Sequence, residues 1–204
     1  SRPCPIAGSD EMIGEGGTLT RNLSINDPGS DNWTVTVDYG DGQPGDTFGP
    51  MTTRNFTLNR TYDTPGVYPV TVTVTEPTEG FAIDSFDLTV GNVQPQVTVT
   101  PGSSTGEGIA STLTIDLTDP VGDFANYQLL QVNWGDGIDG LTGVSDVIKS
   151  FAGSLIITGP TTAQAVLTHT YADNRAGNSP YPITVTVRGG DHGQPDAMLQ
   201  PIDD

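Results

Sequence analysis

The sequence predicts an all-β protein built as two tandem β-sandwiches of about seven antiparallel strands each. Three observations carry this reading. Helix signals are nearly absent, while short runs of alternating Val and Thr, bounded by Gly, Pro, Asp and Asn, recur throughout the chain. The same segments return in the same order in a second copy. Turn signals recur at intervals of about 8–12 residues, the spacing of a sandwich.

The clearest strand is Tyr68-Pro69-Val70-Thr71-Val72-Thr73-Val74, with its twin at Tyr181-Pro182-Ile183-Thr184-Val185-Thr186-Val187. Alternation with a period of two gives each strand one buried and one wet face. On the same criterion, Leu19, Leu23 and Ile25 suit strand B of the first copy, and Trp33, Val35, Val37 and Tyr39 suit strand C. Phe56 and Leu58 suit E; Phe86, Leu88 and Val90 suit G. In the second copy Leu113, Ile115 and Leu117 suit B, Val132 and Trp134 suit C, Leu167 suits E, and Ala197 and Leu199 suit G. Tyr62 and Tyr171 precede strand F, where a tyrosine corner would tie the E–F turn by its hydroxyl.

Matching residues fix the copies. Gly14-Glu15-Gly16 answers to Gly106-Glu107-Gly108, Asp27-Pro28 to Asp119-Pro120, and Thr61-Tyr62 to Thr170-Tyr171. The spacing between matches widens along the chain, which places an insertion at about 138–164, where Ser154-Leu155-Ile156-Ile157 suits an extra strand. The joint, Gly91-Asn92-Val93-Gln94-Pro95, is too short for a flexible tether, and its proline stiffens it. The expected domains are therefore 1–91 and 92–204. The chain starts in linker-like sequence and stops just after a strand, so it reads as a fragment of a larger protein.

Composition narrows the function. Hydrophobic residues make up 34%, and the 26 glycines bring the chain to ordinary globular composition, so each core is small and turn-rich. The net charge of -18 disfavours nucleic acid and anionic membrane and favours basic surfaces or divalent cations. The plainer reading of that charge is a solvated acidic surface, and Lys149 is the single lysine. Cys4, the single cysteine, has no partner for an internal disulfide. No run of about 18 apolar residues is present to span a membrane, and no signal peptide is recognisable.

Catalytic constellations are missing. The two histidines, His169 and His192, lie far apart in sequence, and no Gly-x-Ser-x-Gly elbow or closely spaced His or Cys pair occurs. The chain therefore reads as no enzyme. Asp41 in Tyr39-Gly40-Asp41-Gly42 and Asp136 in Trp134-Gly135-Asp136-Gly137 are the sharpest carboxylates. A metal or catalytic role competes there with a turn role, and the turn is favoured: a short Asp accepts backbone N–H groups while its glycines permit positive φ. Four sequons, at Asn22, Asn32, Asn55 and Asn59, all fall in the first copy, as a Thr-rich chain also yields by chance.

An aromatic followed by Gly-Asp-Gly, then Thr-Tyr, then Gly-x-Tyr leading into a Val-rich strand resembles the polycystic-kidney-disease (PKD) domain family. The first copy has Tyr39-Gly40-Asp41-Gly42, Thr61-Tyr62 and Gly66-Val67-Tyr68; the second has Trp134-Gly135-Asp136-Gly137 and His169-Thr170-Tyr171, with Gly177 set further from Tyr181. The resemblance implies tandem Ig-like sandwiches, an extracellular or cell-surface location, and His169 as a structural residue. Calcium-binding members of that family, like cadherins, use acidic residues at the sandwich poles together with linker asparagines. By that implication calcium would be held by Glu15 and Asp63 of the first copy, Asn92 of the joint, and Asp119, Asp123 and Asp191 of the second. Asp27 and Asp31, with Glu76 or Glu79, would form the corresponding pole of the first copy. Oxygen donors without soft ligands suit such a hard cation, and a solvated acidic rim is the competing reading.

The expected function is a non-catalytic extracellular module: a semi-rigid spacer in a larger secreted, surface-layer or adhesin-type protein, possible partners being neighbouring domains, proteins or glycans. The alternative is an accessory module of a secreted hydrolase that binds polysaccharide or collagen-like protein. That reading asks for a row of exposed aromatics, and Phe81, Phe124, Tyr127 and Phe151 are those not assigned to cores.

Overall fold

The computed structural model describes residues 4–5, 7–26, 32–77, 80–102, 108–122, 124, 129–136, 145–148, 155–171, 181–188 and 197–198. The chain divides into two units, Ser1–Val93 and Gln94–Asp204. The Val93 N–H donates to Glu15 Oε1 at 2.7 Å, which binds the start of the joint to the first unit.

The first unit contains β1 (Cys4–Pro5), β2 (Glu11–Gly14), β3 (Gly17–Asn26), β4 (Trp33–Asp38), β5 (Asp46–Met51), β6 (Asn55–Tyr62), β7 (Gly66–Glu76) and β8 (Gly80–Gly91). One sheet has the order β1-β3-β6 and the other β2-β8-β7-β4-β5. All pairs are antiparallel except β2 with β8. The core lies where the two inner faces meet. Val70, Val72 and Val74 of β7 are buried, while the intervening Thr71 and Thr73 are half-buried on the outer face. Leu19, Leu23 and Ile25 of β3, Phe56 and Leu58 of β6, and Phe86, Leu88 and Val90 of β8 are buried against them. Trp33, Val35, Val37 and Tyr39 complete the core from β4 and its end. Each such aliphatic side chain contributes about 1.5–3 kcal/mol by leaving water.

The open flank between β2 and β3 is closed by Arg21. Its Nε and Nη2 donate to Glu11 Oε2, and its Nη1 donates to the Ala7 carbonyl at 2.8 Å. The guanidinium carbon lies 3.8 Å from the centre of the Phe86 ring, where the ring face attracts a cation. The charge is thus paired, and its flat face covers core surface.

The second unit contains β9 (Gln96–Pro101), β10 (Ala110–Thr118), β11 (Leu129–Asn133), β12 (Ser145–Ile148), β13 (Leu155–Gly159), β14 (Thr162–Thr170), β15 (Thr184–Arg188) and β16 (Ala197–Met198). Its sheets are β13-β14-β10-β9 and β12-β11-β15-β16. Leu113, Ile115, Leu117, Val132, Trp134, Ile183, Val185 and Val187 form the core, with Leu167 partly buried beside them. The predicted core set omits Ala163, Ala165 and Phe124, all buried here. β12 occupies the place that β5 holds in the first unit, so β13 is the strand that the insertion adds. Ala197 lies on β16, and Leu199 lies outside the described residues.

Candidate functional site

The repeated motif builds the same fastening in each unit. In the first, the Asp38 carboxylate accepts the Gly40 N–H at 2.9 Å. This turns the chain sharply at the end of β4, with Gly40 at φ 71°. A Cβ on Gly40 would stand 2.9 Å from the Pro69 carbonyl oxygen, so both backbone conformation and space demand glycine. Asp41 Oδ1 accepts the Gln43 N–H at 3.0 Å, as a turn-forming carboxylate does. Its Oδ2 does something further: it receives Arg60 Nε at 2.6 Å. The Arg60 guanidinium also lies 5.2 Å from the centre of the Tyr39 ring.

The second unit builds a similar arrangement with Asn133, Trp134 and His169 in place of Asp38, Tyr39 and Arg60, while Asp136 Oδ1 has no counterpart of the Gln43 bond. Asn133 Oδ1 accepts the Gly135 N–H at 2.9 Å, and Gly135 has φ 75° with Pro182 O only 2.5 Å from where a Cβ would sit. His169 stands in place of Arg60. Its Nε2 is 2.7 Å from Asp136 Oδ2, and its ring stacks on Trp134 at 4.8 Å and 13°. The carboxylate, the planar nitrogen group and the aromatic keep their places, so His169 serves the sandwich as the family resemblance implies.

The tyrosines preceding strand F act differently from the expectation. The Tyr62 hydroxyl donates to the Tyr39 carbonyl at 3.0 Å, and the Tyr171 hydroxyl to the Trp134 carbonyl at 3.2 Å. Both reach across to the end of strand C instead of tying the E–F turn. That turn is tied in the first unit by Tyr68, whose hydroxyl donates to the Thr64 carbonyl at 2.7 Å. The ring of Tyr62 packs on Tyr68 at 4.7 Å, and that of Tyr171 stacks on Tyr181 at 4.2 Å.

Electrostatics follow from this packing. Burial pushes the Tyr39 phenol up to about 12, helped by its hydrogen bond to Asp46. Burial also raises the Tyr62 phenol, reinforced by the charge of Asp41. For Asp41, burial alone would raise the carboxyl; the hydrogen bonds from Arg60 and Gln43, with the charge of Arg60, outweigh it and hold the group below the usual carboxylate value. These groups are set to stay neutral or paired, which suits a fastening.

The predicted calcium donors are distributed as follows. Glu15 is buried and receives Val93 N–H. Asp63 and Asn92 are exposed. Asp119 is buried, its Oδ1 accepting Val121 N–H at 2.9 Å and Gly122 N–H at 2.8 Å. Glu76 is buried as well. Asp27, Asp31, Glu79, Asp123 and Asp191 lie outside the described residues. Glu15 and Asp119 are thus turned inward as acceptors for backbone amides, the duty short loops give a carboxylate. No group of three or more His, Cys, Asp or Glu among the described residues is placed to hold a metal ion. The sequon residues Asn22, Asn32, Asn55 and Asn59 are all exposed. Of the unassigned aromatics, Phe124 is buried, Phe81 is 53% exposed, and Tyr127 and Phe151 lie outside the described residues. No helix among the described residues is long and apolar enough to cross a membrane.

Two facing sheets with this strand order, fastened by an aromatic–glycine–aspartate turn, define an immunoglobulin-like sandwich module. The family model of the PKD domain matches residues 1–90, close to the whole of the first unit. Among solved structures, the crystal structure of Dpr11 IG1 bound to DIP-gamma IG+IG2 is similar at 12% identity and a TM-score of 0.36, over 100% of this chain and 98% of that one. A Bacteroides ovatus protein, SGBP-B of the mixed-linkage glucan utilization locus in complex with a mixed-linkage heptasaccharide, is similar at 12% identity and a TM-score of 0.35. That match spans 100% of this chain and 47% of the other. No curated protein matches the sequence.

Proposed function

We propose that this chain is a non-catalytic extracellular interaction module whose sandwiches serve as a semi-rigid spacer in a larger secreted or surface protein. One observation carries the reading. The ionisable and aromatic side chains gathered by the repeated motif are tied to one another and to the backbone in both units. They tie the end of strand C to the end of strand E in each unit, the duty of a structural fastening. Recognition would then fall to strand edges and pole loops. The match of residues 1–90 to the PKD-domain model supports an extracellular setting.

Calcium stiffening belongs to the same proposal, with the exposed Asp63 and Asn92 as the donors open to solvent. Extracellular modules hold calcium with Kd of about 10⁻⁴–10⁻³ M. Small-angle scattering of the full chain in millimolar calcium, then in chelator, tests this. A profile that loosens on chelation is expected. An unchanged profile with no heat in calorimetric titration removes calcium from the account. Retention of the chain on insoluble polysaccharide would instead favour the accessory-module alternative, for which Phe81 alone is an exposed aromatic among the described, unassigned residues.

A further inference from the structure

Asparagine fits strands poorly, because its short side chain competes for backbone hydrogen bonds, and it is depleted in sheets. The ladder of β3 and β6 nevertheless carries it repeatedly on one face. Leu19, Leu23, Phe56 and Leu58 of these strands are buried, so the even-numbered residues of β3 and the odd-numbered residues of β6 face water. Every one of those outward positions is Thr, Ser or Asn, and all are exposed. A chain at -18 thus turns an uncharged face of these two strands to solvent.

Three of the sequons lie in this ladder: Asn22-Leu23-Ser24, Asn55-Phe56-Thr57 and Asn59-Arg60-Thr61. The two-residue period of a strand puts each asparagine and its hydroxyl partner on the same side. The register then gathers the sites: Asn22 faces Thr57, Ser24 faces Asn55, and Thr20 faces Asn59. Thr57 Oγ1 donates to Asn22 Oδ1 at 2.6 Å. That bond uses the carbonyl oxygen of the amide, whereas an N-linked sugar is carried on its nitrogen. Threonine content alone does not produce this arrangement. The corresponding ladder of the second unit, β10 with β14, holds more threonine but no asparagine. Its outward face carries a charge, Asp116, bonded to Gln164 at 2.7 Å.

We propose that Asn22, Asn55 and Asn59 are N-glycosylation sites, which makes the outer face of β3 and β6 a sugar-covered face of the first unit. The proposal rests on the extracellular setting given above. In the transfer, the side-chain amide nitrogen bonds to the anomeric carbon of a lipid-diphosphate-linked oligosaccharide. The carbon–oxygen bond to the diphosphate breaks, the lipid diphosphate leaves, and the nitrogen gives up one proton. A bulky, hydrated sugar keeps an uncharged face soluble, as charge does elsewhere on the chain. β6 also ends its sheet, so sugar at Asn55 and Asn59 shields an open strand edge.

Peptide mapping by mass spectrometry of the full chain, taken from the cells that make it, tests the proposal. Oligosaccharide is expected on Asn22, Asn55 and Asn59 of chain recovered from the secreted or surface fraction. In the same cells, Asn55→Gln and Thr57→Ala should each lower the intact mass by one oligosaccharide, and Thr57→Ser should keep it. Sugar attached to the Thr57 hydroxyl would leave the mass of Asn55→Gln unchanged. Both positions are exposed, so the variants should fold, and the map of the parent chain does not depend on them. Bare asparagines at these positions in secreted or surface chain, or sugar on the threonine instead, overturn this proposal alone. A chain found only in the cytoplasm overturns the extracellular setting and this proposal with it.

Discussion

Replacing Tyr62 by Phe isolates the fastening of the first unit, because it removes one oxygen and leaves the ring. The hydroxyl is buried and donates at 3.0 Å to the Tyr39 carbonyl, while the ring still packs on Tyr68. A hydrogen bond is worth about 0.5–1.5 kcal/mol net, and a buried carbonyl left short of its donor adds part of a desolvation penalty of about 1–3 kcal/mol. The expected loss is therefore about 1–2 kcal/mol. For a unit of this size that lowers the midpoint by about 4–15 °C. Tyr68→Phe is the control, since its bond to Thr64 is solvent-exposed and its loss should be nearly neutral. Tyr171→Phe should cost less than Tyr62→Phe, because its bond is longer, at 3.2 Å, and only partly buried. Scanning calorimetry and urea unfolding of the full chain measure all three. If Tyr62→Phe and Tyr68→Phe have the same effect, the hydroxyl does not hold strand C to the end of strand E and the fastening argument fails.

Three further outcomes are expected. Gly40→Ala should destabilise by about 1–3 kcal/mol in chemical unfolding, since it combines a left-handed backbone with a Cβ at 2.9 Å from Pro69 O; a neutral result would show that β4 and β7 separate easily. Trp134→Ala should cost about 3–5 kcal/mol by the same measurement, while Thr184→Ala on the outer face of β15 should be near neutral. Stability should fall in alkali, because Tyr39 is raised from 10.0 to about 12. The folded state holds that proton more tightly than the unfolded chain, so the stabilisation is complete below pH 10 and is lost as pH rises toward 12, and Tyr39→Phe should flatten that limb of the stability curve.

The sequence was most readable where one face of a strand is buried and the other wet. Val70, Val72 and Val74, or Leu113, Ile115 and Leu117, announce their strands because burial imposes a period of two. β5 was silent, since Asp46-Thr47-Phe48-Gly49-Pro50-Met51 shows little apolar alternation and carries both glycine and proline. Ala163 and Ala165 were missed because alanine is small enough to suit either face. The Asp41–Arg60 and Asp136–His169 pairs were hidden for a different reason. Their partners sit on different strands, and only the register brings them together. A usable signal existed: Arg60 and His169 both stand two residues before the tyrosine, on the inward phase of strand E. The direction of the Tyr62 and Tyr171 hydroxyls could not be read at all, because it depends on where strand C ends relative to the end of strand E.

The fastening also bears on how such a protein grows. Its members run from Asp38 to Pro69 in the first unit and from Asn133 to Pro182 in the second, and each set closes on itself. Each fastening is therefore completed by residues of its own unit. The stretch between the turn and strand E has been lengthened in the second unit until it supplies β13, and the aspartate, the aromatic and the tyrosine still meet. That stretch is where the architecture accepts new sequence, and where related repeats should be free to acquire new surfaces.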